Sequence, residues 1–399
     1  MHTFTRGLVA AACLLTAPAI ADAPPVHAAA SFAAPVNRLR FFGETNGGDS
    51  SHQVYSRTEA VALARRYDTI IGLRWTFAEH AAAMRAANPR LRLIAYMNGA
   101  MSKPGDRASM PESWFMHDAN GNRVRNLYFD LHYMDVGNSG WRNWVAQRCA
   151  DWIRMSGFDG CWLDDLGAGN LGTNLSAWPI DPRTGQRVTE SNWLGYGRGE
   201  LGVVSAANPG AIISSNGLNN GSNYFANNAA RLLETSLAST AEGFLRGSRT
   251  SATTFRSVDK WKQDIDMLVD AGSRGKTVLA AVKLWASETV AQQNQWREYA
   301  YASFLLGTNG YQFLYFSVRG PGKPDASHPM DSYNLGTPSE AYTLRGGVYQ
   351  RRFSAGLAMV NPGSTSKTVT LGGSYRLSDG QVVTQLTMPP YTGRLLRTP

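Results

Sequence analysis

Between about residues 38 and 320 the chain switches repeatedly between short apolar runs and stretches whose apolar positions recur at helical spacing. The runs predict eight strands, at 39–45, 68–74, 91–98, 158–164, 211–216, 239–244, 277–285 and 311–317. The periodic stretches predict helices at 56–67, 76–87, 139–155, 193–207, 227–233, 258–271 and 288–306. Ser56 followed by Glu59 is a capping box for the first helix, Asn88-Pro89 stops the second, and Gly272 closes the helix that carries Trp261, Ile265, Leu268 and Val269 on one stripe. In 139–155, Trp141, Trp144, Val145, Cys149, Trp152 and Ile153 share a face, which makes them core side chains. This alternation predicts an α/β chain: a (β/α)8 TIM barrel over 38–325. Past Pro321 the texture becomes short strands and turns, such as Asn361-Pro362-Gly363 and Asp379-Gly380. That predicts a small C-terminal antiparallel β-sandwich domain over 340–399.

Two stretches break the alternation, 99–138 and 166–191, both on the side where strands would exit. Long loops at that face of a barrel build clefts. Trp114, Phe115, Tyr128, Tyr133 and Trp178 in them read as exposed aromatics.

The first residues change the picture of where the protein works. His2 and Arg6 precede an apolar run from Leu8 to Ile20 that ends in Ala19-Ile20-Ala21, the pattern of a signal peptide over 1–21. The Ala- and Pro-rich stretch 22–37 reads as a disordered tether, and no later run is a transmembrane candidate. A secreted or periplasmic protein is expected. Cleavage would lower the formal net charge from +9 to +8, and the basic residues are dispersed, which argues against nucleic acid as a partner. Of three cysteines, only Cys149 and Cys161 would remain. One bridge between them is possible, but both occupy apolar positions, so they are expected free and buried.

The candidate chemistry sits in Gly157-Phe158-Asp159-Gly160-Cys161-Trp162-Leu163-Asp164-Asp165. An apolar strand ending in two acids is where such a barrel places reacting groups. Alternation aims Trp162 and Asp164 to one side, putting a carboxylate beside an indole face, a combination suited to sugars. One of the two aspartates could instead cap the next helix. Glu242, at the end of the sixth strand, is the candidate partner, since a glycosidase needs two carboxylic acids across the scissile bond; its structural alternative is an ion pair with Arg246 or Arg249. Glu44, Arg74, Tyr96, Asn98, Asn216, Lys283 and Tyr315 occupy other strand ends and, with Trp162 and Asp165, are candidate substrate-binding residues. No G-x-S-x-G elbow, His metal spacing or G-x-G-x-x-G loop occurs, and Gly275-Lys276-Thr277 lacks the earlier glycine of a phosphate loop. Neither a cofactor nor a metal is expected.

The strand-four segment Gly157-Phe158-Asp159-Gly160-x-x-Leu163-Asp164-Asp165, with Glu242 on a later strand, resembles glycoside hydrolases of the hypothetical glycosyl hydrolase 15 type. These are similar to polygalactosaminidase- and melibiase-like TIM barrels. The resemblance covers roughly 38–320, and Gly356-Leu357-Ala358-Met359-Val360-Asn361-Pro362 resembles the β-sandwich appended to many such enzymes. It implies that Asp164 is a nucleophile and Glu242 a proton donor. The expectation is a secreted, monomeric, retaining two-carboxylate glycosidase acting on an extracellular or cell-envelope polysaccharide. The alternative is an inactive, lectin-like barrel that binds glycans.

Overall fold

The computed structural model describes residues 39–45, 55–172, 174–247, 249–285, 288–319 and 327–399. The signal-peptide and tether segments lie outside the described residues. Eight strands form one parallel sheet in chain order: β1 (Phe42–Glu44), β2 (Thr69–Gly72), β3 (Arg92–Asn98), β4 (Gly160–Asp164), β5 (Ile212–Asn216), β6 (Ala238–Ala241), β7 (Thr277–Lys283) and β8 (Phe313–Ser317). A parallel bridge between Phe41 and Leu314, with Leu314 N donating to Arg40 O at 2.8 Å, brings the last strand back to the first. The sheet is therefore closed, as the alternation predicts. Inward side chains fill it: Phe42, Ile71, Ile94, Trp162, Ile212, Leu279, Phe313 and Tyr315 form one buried cluster.

The longer helices are α1 (Arg57–Arg66), α2 (Ala81–Ala87), α3 (Ser139–Ser156), α4 (Glu190–Ala207), α5 (Val258–Ser273) and α6 (Val290–Gly307). The Ser56–Glu59 capping box starts α1. Asn138 caps α3 by accepting from Gly140 N and Trp141 N, and Gly157, at φ 65°, ends it in the left-handed region that favours glycine. Between β5 and β6, where one helix was expected over 227–233, the chain makes short pieces at Gly221–Ala226, Ala229–Arg231 and Leu232–Thr235. The α3 stripe is core, as its period indicates: Trp141, Val145, Cys149 and Trp152 are buried.

Cys149 on that stripe is bonded to Cys161 in β4, with Cα atoms 6.0 Å apart. The expectation of free thiols is overturned. Each cysteine does occupy an apolar position, but the two positions face each other where the helix packs on the strand.

The long loops are not open flaps. Met101–Ser102 pairs antiparallel with His132–Tyr133, and bridges His117 to Ile180 and Asn126 to Leu175 join one loop to the other. Arg183 donates to both carboxylate oxygens of buried Asp135, at 3.1 and 3.0 Å, fastening them further. Phe115 and Tyr133 are consequently buried inside this cap, contrary to expectation, whereas Tyr128 and Trp178 are exposed.

The remaining strands, β9 (Thr343–Arg345), β10 (Val348–Phe353), β11 (Gly356–Asn361), β12 (Lys367–Arg376), β13 (Val382–Met388) and β14 (Thr392–Arg397), form one sheet in the order β9-β10-β11-β14-β12-β13. It has a core of its own, with Leu357, Met359 and Leu396 packed against Val369, Leu371 and Met388. Its other contacts are with the barrel: Arg351 Nη1 donates to the carbonyls of Leu305 and Leu306, each at 3.1 Å, at the end of α6. Among the described residues, no helix is long and apolar enough to cross a membrane.

Candidate active site

Six barrel strands end in a polar residue: Glu44 (β1), Asn98 (β3), Asp164 (β4), Asn216 (β5), Lys283 (β7) and Ser317 (β8). Parallel pairing puts these ends at one rim, and Asn98 lies directly in register with Asp164. Asp164 is held on both oxygens. Oδ2 accepts from the Tyr96 hydroxyl at 2.9 Å, and Oδ1 accepts from Asn216 Nδ2 and from the Asp165 amide, each at 2.9 Å. Burial, reinforced by the charge of Glu242, raises its pKa, while those three donors oppose the rise.

Glu242 follows β6 directly. Its charge is felt at Asp164, as expected of two acids that share one rim. The side chain of Glu242 is 43% exposed, against 3% for that of Glu44. Neither Arg246 nor Arg249 pairs with it. Lys283 does, donating to Glu242 Oε1 at 2.8 Å while its Nζ lies 2.7 Å from Glu44 Oε2. Burial opposes ionisation of Glu242, but Lys283 outweighs it and holds the pKa below the usual glutamate value. Burial raises Glu44 against the pull of the same lysine, and the two flanking acids hold Lys283 above its ordinary value despite its burial. Lys283 thus serves Glu242 and Glu44 and not Asp164.

Asp165, next along the chain, takes a left-handed backbone at φ 65° and accepts from Asn98 Nδ2 at 2.6 Å. Burial and the Asp164 charge raise its pKa well above the ordinary value. Asn98 is a brace, since its Oδ1 also accepts from the amides of Ala100 and Met101 at 2.9 and 2.7 Å. Gly243, beside Glu242, is required by backbone and not by an open subsite: a Cβ there would lie 2.7 Å from Asn219 Oδ1.

The structure thus brings together Asp164, Glu242, Glu44, Tyr96, Asn98, Asp165, Asn216 and Lys283. Three candidates lie outside this cluster. Trp162 is 1% exposed and spans the barrel interior, its Nε1 donating to Thr240 Oγ1 at 2.8 Å, so it is floor and not a stacking surface. Tyr315 is fully buried against Phe42. Arg74 begins a short helix, because β2 already ends at Gly72, and it faces a neighbouring cavity. Sequence reasoning passed over Thr240, which anchors Trp162, and Lys103, whose Nζ lies 5.7 Å from the Tyr96 ring centre. It also passed over Trp75 and Trp285, both more than two-fifths exposed just beyond β2 and β7. A tryptophan within three residues of a strand end was the available signal.

A closed parallel barrel with paired carboxylates at its strand exits has the architecture and site of a glycosidase. Residues 92–357 match the family model "Hypothetical glycosyl hydrolase family 15", and the chain belongs to this family and is a glycosidase. Its fold is similar to that of the noncanonic maltogenic α-amylase AmyB from Thermotoga neapolitana, at 12% identity and a TM-score of 0.51, covering 91% of this chain and 98% of that one. The α-amylase of Geobacillus thermoleovorans complexed with acarbose is similar at 10% identity and a TM-score of 0.51, covering 90% of this chain and 98% of the other. These likenesses concern the fold. No curated protein matches the chain.

Proposed function

We propose that this glycosidase cleaves an extracellular or cell-envelope polysaccharide with retention of configuration, using Asp164 as nucleophile and Glu242 as acid and base. The observation that carries this is the gathering of acids at one rim of the barrel, with Asp164 fixed by three donors and Glu242 held with Glu44 on Lys283, which supplies the two carboxylic acids such a reaction needs. A lectin-like barrel has no use for four acids drawn into one cluster.

The division of labour follows from the surroundings of each acid. A nucleophile must be fixed, and three donors fix Asp164. An acid and base must meet the leaving oxygen and then water, and the Glu242 side chain is 43% exposed. In the first step an Asp164 oxygen attacks the anomeric carbon, the glycosidic bond breaks, and Glu242 gives its proton to the departing oxygen. In the second, Glu242 takes a proton from water as that water displaces Asp164.

At rest the charge favours Glu242, through Lys283, and the proton favours Asp164. Catalysis needs the opposite arrangement. Glu44 makes it accessible: Lys283 keeps a buried counter-charge at 2.7 Å when Glu242 becomes neutral on substrate entry. A pair that works with one shared proton gives a bell-shaped pH profile.

The signal pattern of residues 1–21 supports export, and the Cys149–Cys161 bridge is of the kind that persists in oxidising compartments. The test is a polysaccharide panel with product analysis. On a substrate found this way, Asp164→Asn and Glu242→Gln should each lower turnover by about 100-fold or more with unchanged melting, and NMR of the first product should show the retained anomer. An inverted product would exclude the covalent step, and near-normal turnover of Asp164→Asn would remove it as nucleophile.

A further inference from the structure

Beside the carboxylate cluster, on its β2–β3 side, lies a cavity of about 110 Å³, room for several water molecules. Asn98, which braces Asp165, forms part of its wall, and Lys103 links it to Tyr96. Three tryptophans and three cations line it: Trp75, Trp144, Trp152, Arg74, Lys103 and Arg148. The lining holds one acid, Asp106, and Arg148 pairs with it at 3.1 Å.

The other two cations have no such partner. Among the described residues, the side chains of Arg74 and Lys103 make neither an ion pair nor a hydrogen bond. Arg74 lies between aromatic rings, its guanidinium carbon 5.7 Å from the Trp75 ring centre and 5.8 Å from that of Trp152, and its Nε is buried without an acceptor. Lys103 faces the Tyr96 ring. Partly buried cations that lack acceptors are unfavourable unless a ligand supplies the anion, and the tryptophans offer the apolar surface against which a sugar ring packs.

We infer that this cavity is a subsite for an anionic group on the glycan, carried by a sugar unit next to the bond that Asp164 and Glu242 cleave. The inference rests on the proposed function and narrows the substrate to acidic polysaccharides. A carboxylate or a sulfate would each suit Arg74 and Lys103, which line the same cavity. Burial holds Lys103 below its ordinary value against the pull of Asp106, and a docked anion would add to that pull.

Binding to the full chain carrying Asp164→Asn tests this without turnover. The probes are matched pairs: polygalacturonate and alginate against their methyl esters, and dextran sulfate against dextran. At least one acidic member should bind about tenfold or more tightly than its neutral counterpart, the worth of one charge-assisted contact, and lose that advantage in high salt. Whether the uronates or the sulfate bind identifies the group. Lys103→Met and Arg74→Met should each remove about tenfold of the acidic affinity, with melting curves recorded to confirm folding; Lys103, on the loop, is the safer of the two. Equal affinity within every pair, or acidic binding indifferent to Lys103→Met, overturns the subsite. Two failures remain separable. Acidic binding through Lys103 with full turnover in both carboxylate variants would remove the mechanism and leave the subsite. Hydrolysis confined to neutral glycans would do the reverse.

Discussion

Asp165 shows how the site's chemistry weighs on its stability. Its carboxyl lies beside Asp164 and is satisfied by one side-chain donor, Asn98. Its folded pKa is raised, so the sign is fixed. Below the ordinary aspartate value of about 3.9 both folded and unfolded states hold the proton and ionisation costs nothing. As pH rises towards the folded value, the unfolded chain releases a proton that the native state retains, and stability falls. Asp165→Asn removes that loss, and asparagine tolerates φ 65° as well as aspartate does. The variant should therefore melt higher than the parent near neutrality, by roughly 2–4 °C for each kcal/mol relieved, and the gain should shrink towards zero near pH 4. Calorimetry across that range checks it; a lower neutral melting temperature would mean that the Asp165 charge is needed for folding. At this scale Asp164 and Glu242 were legible because a strand end fixes where a side chain emerges. Trp162 and Tyr315 were misjudged because alternation gives the side of a strand and not the depth. Both point inward, like Asp164, but below the rim. Lys103 was invisible, since its place depends on a long loop without any period.

Among elements, the helices and strands were read closely because each buries one face, and periodicity records that face. The pairing between elements was less legible. Cys149 and Cys161 are each in an apolar position, and only the packing of α3 on β4 makes them neighbours. The burial of Phe115 and Tyr133 was illegible for the same reason: the bridges of the two long loops join residues such as His117 and Ile180 that no local pattern connects. The bridge between α3 and β4 closes a short loop, with a sequence separation of 12, directly ahead of Asp164. Closing a loop of this size stabilises by about 3 kcal/mol through the unfolded chain. Cys149→Ala/Cys161→Ala, or reduction of the parent, should lower the melting temperature accordingly. Thiol titration of the native, unreduced mature protein should find no free thiol. Two reactive thiols, or a melting curve indifferent to reductant, would show that the pair is open in solution.

For the molecule as a whole, the C-terminal sheet was recognisable as a β-domain from its turns, while its attachment to the barrel was not. That attachment is extensive and specific. Arg351 satisfies carbonyls at the end of α6, Arg394 pairs with Glu298 midway along the same helix, and Tyr391 stacks on Phe255 with ring centres 4.4 Å apart. Trp261 on α5 packs against Tyr349 of β10 at 4.8 Å. Both helices therefore present to the sheet surfaces that water would otherwise meet, and α6 also covers β8, the strand that closes the barrel. None of these contacts touches the carboxylate cluster, so the sheet is placed to stabilise and not to react. Deleting 340–399 should lower the melting temperature by about 10 °C or more, as the loss of several kcal/mol implies at 2–4 °C each, and should promote aggregation through the bared α5 and α6 faces. The folded fraction at low temperature should keep turnover on a short oligosaccharide. A truncated protein of unchanged stability that has lost activity would instead make the sheet part of the substrate-binding surface.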